Sequence, residues 1–204
     1  MIRRDIAVEQ QVIAYERGGA AAISILTEPG RFGGSNDDLV RAHGAVGIPL
    51  LKKDFHVEVI QLIEAKAIGA SAALVIVRAV DPDRLRELLT VGRDLALEIL
   101  VEVRDAAELD RALGLDAQLI GVNNRNLETL EIDPDTAPRL IPLIPRGCVA
   151  VAESGFKSAA DIERVAAVGT DAVLVGFQVS AASDPESAVR SLTGVKRTSD
   201  ARKG

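Results

Sequence analysis

Seven short apolar runs, spaced about two dozen residues apart, constrain the fold of this chain more than any other feature. They are Ala22 to Leu26, Ile48 to Leu51, Ala72 to Val77, Ile99 to Val101, Leu119 to Val122, Val149 to Ala152 and Ala172 to Val175. Each is too short for a free-standing helix and too continuously apolar to keep one face in water. Parallel strands covered on both faces read this way. Amphipathic stretches fall between them at roughly 6–17, 36–45, 57–68, 82–94, 105–113, 135–141, 158–168 and 185–192, which predicts successive β/α units and not hairpins. Asp81-Pro82, Ser158 and Asp184-Pro185 supply helix-start signals, a capping side chain or a proline at the first helical position.

The junctions before several strands repeat one another: Gly19-Ala20-Ala21-Ala22, Gly69-Ala70-Ser71-Ala72, Gly114-Leu115-Asp116-Ala117 and Gly169-Thr170-Asp171-Ala172. A glycine past a helix end followed by small residues returns the chain quickly to the sheet, so one supersecondary unit recurs. Eight helices and seven strands, with a helix first, point to an α/β chain shaped as a (β/α)8 barrel lacking its first strand; such barrels typically need ~250 residues. Its first and last strands would then leave unpaired edges at the seam, a source of marginal stability or self-association. An open doubly wound sheet fits less well, because no Gly-x-Gly-x-x-Gly follows the first run. Residues 1–193 are expected to form one domain, and 194–204 a disordered polar tail.

Aromatic residues are 2% of the chain against 48% hydrophobic, so the core must be built of Val, Ile, Leu and Ala. A net charge of −6 without a basic stripe argues against nucleic acid as a partner. No apolar run is long enough to cross a bilayer, and Met1 to Asp5 lack a signal-peptide core. The single Cys148 reads as a packed thiol in a reducing compartment, hence a cytoplasmic location.

The runs stop at polar residues: Glu28, Lys52-Lys53-Asp54, Arg78, Glu102, Asn123-Asn124-Arg125, Glu153-Ser154-Gly155 and Gly176-Phe177-Gln178. In a β/α barrel these strand ends share one rim, where the chemistry is done. Adjacent lysines on a strand face opposite ways, so one of Lys52 and Lys53 enters the interior. Glu102 interrupts a buried strand and needs a partner, which Lys53 can supply as a proton-transfer pair or as a structural ion pair. Asn123 and Arg125 suit a hydroxylated or anionic ligand, while Asn124 fits a backbone-capping role. Ser154, Gly155 and Gly176 follow the last two runs, the usual phosphate position in such barrels. Phe32 and Phe55 suit a wall for a planar ring, or equally core packing. His43 falls in a helix and His56 in a loop; no His or Cys pair has metal-ligand spacing, and no metal is expected.

Taken together, Ala22 to Glu28, Phe32-Gly33-Gly34-Ser35, Pro49 to Phe55, Leu100 to Val103, Ile120 to Leu127 and Val151 to Gly155 resemble the indole-3-glycerol phosphate synthase family. The resemblance covers most of residues 3–192. It implies a TIM barrel of the ribulose-phosphate-binding type that converts 1-(2-carboxyphenylamino)-1-deoxyribulose 5-phosphate with loss of carbon dioxide and water, and without a cofactor. It also implies roles: Lys53 as general acid, Glu102 as general base, Asn123 and Glu153 as the pair orienting sugar hydroxyls. Leu26, Phe32 and Phe55 would wall the anthranilate ring; Arg125, Ser154, Gly155 and Gly176 would bind substrate, the last three at the phosphate. The family's Glu-x-Lys-x-x-Ser-Pro-Ser strand has no counterpart after Met1, and Gly176-Phe177-Gln178 departs from the usual polar sequence there. Weak or absent activity of this chain is the expectation from those departures. A non-catalytic paralogue binding phosphosugars or a pathway enzyme is the alternative; phosphoribosylanthranilate isomerase, another phosphate-binding barrel, lacks reason to combine Lys-Asp-Phe with Glu-Ser-Gly.

Overall fold

The computed structural model describes residues 7–197 and 201–202. Among these, seven strands form one parallel sheet in chain order: β1 (Ile23–Leu26), β2 (Leu50–Lys53), β3 (Ala72–Ile76), β4 (Glu98–Val103), β5 (Leu119–Asn123), β6 (Val149–Glu153) and β7 (Ala172–Leu174). Every predicted run is a strand, and the sheet curls as a barrel does. Helices alternate with the strands: α1 (Val8–Arg17), α2 (Asn36–Ala45), α3 (Val59–Ala67), α4 (Pro82–Asp94), α5 (Ala106–Gly114), α6 (Thr136–Leu140), α7 (Ala159–Ala166), α8 (Phe177–Ser180) and α9 (Pro185–Arg190). The expected count of eight helices is therefore one short among the described residues. The addition is α8, a single turn after Gly176, too brief for an apolar period to register. Position 6 of the first predicted helix lies outside the described residues.

The period-2 alternation of the strands sorts the apolar residues into two cores. One alternate set, including Ile25, Leu50, Val75, Val101, Val122 and Ala152, is buried against the helices. The other, Leu51, Leu74, Ile76, Leu100 and Val151, packs inside the curl, with Phe55, Leu127 and Leu174 against it. Ser35, Asp81, Asp105, Ser158 and Asp184 each accept a hydrogen bond from a backbone N–H in the first turn of the helix they precede. The repeated junctions do a second job. Ser71 Oγ accepts from Leu50 N at 3.3 Å and Asp171 Oδ2 from Ala150 N at 2.8 Å, each tying a strand start to the strand before it.

Among the described residues, β1 pairs only with β2 and β7 only with β6. Behind that seam α1 packs on α9: a β-carbon on Gly18 would lie 2.7 Å from both Glu186 O and Val189 Cβ. The described part of the tail has no helix or strand, yet Arg197 and Arg202 both reach Asp171 at 2.7 Å. Cys148 is buried, its Sγ 3.5 Å from Ala117 O, and burial raises its pKa. No helix of the described residues is long and apolar enough to cross a membrane.

Candidate active site

Strand register determines which polar side chains meet. Leu26 of β1 lies beside Lys53 of β2, Ile76 of β3 beside Glu102 of β4, and Asn123 of β5 beside Glu153 of β6. Lys53 lies on the inner face with Leu51, and its Nζ stands 3.6 Å from Glu102 Oε2 and 3.7 Å from Glu153 Oε2. Lys52 faces the helices, buried, 3.4 Å from both Asp54 and Glu64. Asn123 Nδ2 donates to Glu102 Oε1 at 3.0 Å, and Asn123 Oδ1 accepts from Arg125 N at 2.9 Å. Glu153 Oε1 is buried with no hydrogen-bond partner.

Burial opposes the charge on Lys53, but the attraction of Glu153 and Glu102 outweighs it and raises the ammonium pKa above the usual lysine value. For Glu153 burial dominates, the charge of Glu102 adds to it, and Lys53 compensates only in part; the pKa rises to about 8. Burial thus favours the protonated form of Glu153 at neutral pH, beside the Lys53 ammonium. The constellation sets a proton donor beside carboxyl groups in a buried site.

Phe32 and Phe55 stack with ring centroids 6.2 Å apart and planes at 25°, and the Arg31 guanidinium lies 5.9 Å over Phe55. Glu28 shapes this loop by accepting from the backbone N–H of Gly30, Arg31 and Phe32. Thr27 Oγ1 donates to Asp54 Oδ2 at 2.6 Å, tying the loop after β1 to the loop after β2. Asp54 also accepts from Phe55 N at 2.8 Å. Burial opposes ionisation of Asp54, and these hydrogen bonds outweigh it, lowering the pKa. None of Thr27, Asp54 and Arg31 stood out as a site residue in the sequence, although Thr27 and Asp54 adjoin residues that did.

Ser154 and Gly155 turn the chain after β6 with left-handed φ of 68° and 91°, and Gly176 precedes α8 after β7. Phe177 is 66% exposed beside it. Asn124 takes the capping role expected of it: its Nδ2 donates to Ser154 O, and its Oδ1 accepts from Ala137 N. Arg125 is turned to its own loop, with Nη1 donating to Leu130 O at 2.9 Å. His56 is fully buried rather than a plain loop residue. Its Nδ1 lies 2.7 Å from Leu74 O, which can only accept, so the proton sits on Nδ1. Burial drops its pKa to about 4.

A curled parallel β/α sheet with a lysine between two glutamates at its carboxyl-end rim defines a protein of TIM-barrel-like α/β architecture. The chain belongs to the indole-3-glycerol phosphate synthase family, whose model matches residues 1–192. Relatives called indole-3-glycerol phosphate synthase are similar to it: one from Nocardioides sp. at 51% identity over 90% of this chain, and one from Chlorobium chlorochromatii at 50% over 79%. One from Parafrankia sp. is 48% identical over 87%. The chain spans 70%, 63% and 66% of the length of those three. Among solved structures, mandelate oxidase with benzoyl-formic acid has a TM-score of 0.68 at 16% identity, covering 89% of this chain and 64% of that one. A structure described as native KDPGal gives 0.65 at 16% identity, covering 94% and 88%. These two share the fold.

Proposed function

We propose that the chain catalyses the indole-3-glycerol phosphate synthase reaction, closing the indole ring of 1-(2-carboxyphenylamino)-1-deoxyribulose 5-phosphate with loss of carbon dioxide and water. The observation that carries this reading is Lys53 Nζ held 3.6 Å from Glu102 and 3.7 Å from Glu153 on the inner face of the rim. Lys53 donates a proton to the ribulose carbonyl oxygen as the ring carbon attacks it. Carbon dioxide then leaves, restoring the ring electrons. Glu102, oriented by Asn123, takes the proton removed during dehydration. Asn123 and Glu153 orient the sugar hydroxyls, Leu26 with the Phe32–Phe55 stack receives the anthranilate ring, and Arg125 binds a substrate anion once its guanidinium swings from Leu130 O towards the rim. Ser154, Gly155 and Gly176 hold the phosphate through backbone approach, since Phe177 offers no polar side chain there.

The same reading places the enzyme in the cytoplasm. It also assigns the outer edges of β1 and β7, unpaired among the described residues, to contact with a second copy or a pathway enzyme, because bare strand edges template pairing. The test is to incubate the purified chain with the ribulotide and follow indole fluorescence. Turnover by the wild type and a fall of about 10²–10⁴-fold in kcat for K53M and E102Q support the proposal. Tight binding of the ribulotide with no turnover would establish the phosphosugar-binding paralogue instead. Sedimentation of the same sample checks self-association.

A further inference from the structure

Gly121 sits on β5 with its α-carbon beside Glu102 of β4 on one side and Val151 of β6 on the other. Glu153 is one pair higher, opposite Asn123. This two-residue offset between alternate strands is the one that strand tilt produces in a barrel, so Glu102 and Glu153 belong to one interior layer on either side of β5. The Glu153 carboxyl lies over β5, against Gly121. A β-carbon built on Gly121 would collide with Glu153 Oε1, and Glu153 Cδ would lie only 3.2 Å from it. Real β-carbons do not tolerate such contacts, and Glu153 is only 1% exposed, so its carboxyl would have to leave this position. An isolated glycine inside a strand marks a close approach, and here the approaching group is a carboxyl of the candidate site.

We propose that Gly121 is a positioning residue: the space left by its missing side chain is the seat of the Glu153 carboxyl, and that seat brings Glu153 beside Glu102 and Lys53. The inference rests on the reading of Lys53, Glu102 and Glu153 as the reactive set, and it explains where the Glu153 carboxyl finds room between β4 and β6. Any side chain at position 121 must push the Glu153 carboxyl out of its dry seat towards Lys53 and the rim, or rotate it away from both. The elevated proton affinity of Glu153 belongs to the seat and should vanish with it.

The decisive measurement needs no turnover. Carbon-13 NMR of glutamate carboxyls, with E153Q identifying the resonance, should show Glu153 titrating near pH 8 in the wild type and in the ordinary carboxylate range in G121A. An unchanged titration in G121A overturns the proposal. If wild-type turnover is found, G121A should lower kcat at least tenfold with KM changed less, and adding G121A to E153Q should cost less than about twofold more. Independent, multiplying losses would also overturn it. If G121A fails to fold, the E153A background decides: with the Glu153 carboxyl gone, Leu100 Cδ1 at 3.2 Å is the next nearest of the close contacts of a β-carbon at position 121, so G121A/E153A should fold and melt close to E153A. Equal destabilisation by G121A in both backgrounds would sink the seat. Absence of wild-type turnover with the titration shift intact would reject the reaction while leaving the seat standing.

Discussion

Enclosing Glu153 beside Glu102 costs more than its contact with Lys53 returns, so the carboxyl keeps its proton to a pH of about 8. Its folded pKa lies above the ordinary glutamate value of 4.5, so the native state binds this proton more tightly than the unfolded chain. The resulting stability is full below the unfolded value and is lost as pH rises through the folded one. His56 acts oppositely: its pKa falls from 6.5 to about 4, so its contribution is present above 6.5 and lost as pH falls. The two slopes oppose each other where the windows overlap and leave Glu153 in control between about pH 6.5 and 8. Urea midpoints of the wild type should fall across that upper window, and E153Q should be flatter there; parallel curves would show that Glu153 does not titrate as its burial demands. Strand alternation made it legible that one of Lys52 and Lys53 turns inward to a buried Glu102, and the family resemblance pointed to Lys53. Gly121 and the Thr27–Asp54 bond were not legible, because each depends on how closely two strands or loops distant in sequence approach.

Elements were the most legible level, since a parallel strand buried on both faces and a capped amphipathic helix leave strong local signals. Ser158 shows this: it caps α7 and Asp161 reaches back to its N–H, a reciprocal pair visible as Ser-x-x-Asp. S158A should cost about 1 kcal/mol of stability and leave kcat unchanged, as read by chemical denaturation and the fluorescence assay. The loop between β1 and α2 was less legible because its shape comes from one side chain bonding three backbone groups. Glu28 has its pKa lowered, chiefly through the N–H of Arg31. E28A should release Phe32 from its stack on Phe55, raising KM several-fold with a smaller effect on kcat. The single turn α8 escaped for want of length, and Phe177 within it gave a departure from the family pattern but no period.

For the whole molecule, the two ends of the sheet have separate tasks. The carboxyl-end rim carries Lys53, Glu102, Asn123 and Glu153, whereas the opposite end is closed around Asp171. There Arg202, with a side chain only 1% accessible, donates through Nη2 to Asp171 at 2.7 Å and through Nη1 to Cys148 O at 2.9 Å. Arg197 takes the other Asp171 oxygen, Ala150 N shares Oδ2, and Arg146 Nε donates to Arg202 O at 2.7 Å. A tail composed of polar and basic residues gives no sign in its own sequence of this docking, because the partner is a junction aspartate about thirty residues earlier, reached only once β7 is in place. The asymmetry of the clamp makes it testable. Removing Arg202 leaves Asp171 with Arg197 and the Ala150 N–H, whereas removing Asp171 leaves a buried guanidinium without its counter-charge, a loss of about 3–5 kcal/mol. D171A should therefore lower Tm by about 10 °C and R202A by clearly less. Both should keep full activity per folded molecule, because neither residue reaches the rim. Equal Tm losses would mean that Arg202 does not depend on Asp171, and a selective loss of kcat would mean that the two ends of the sheet are coupled.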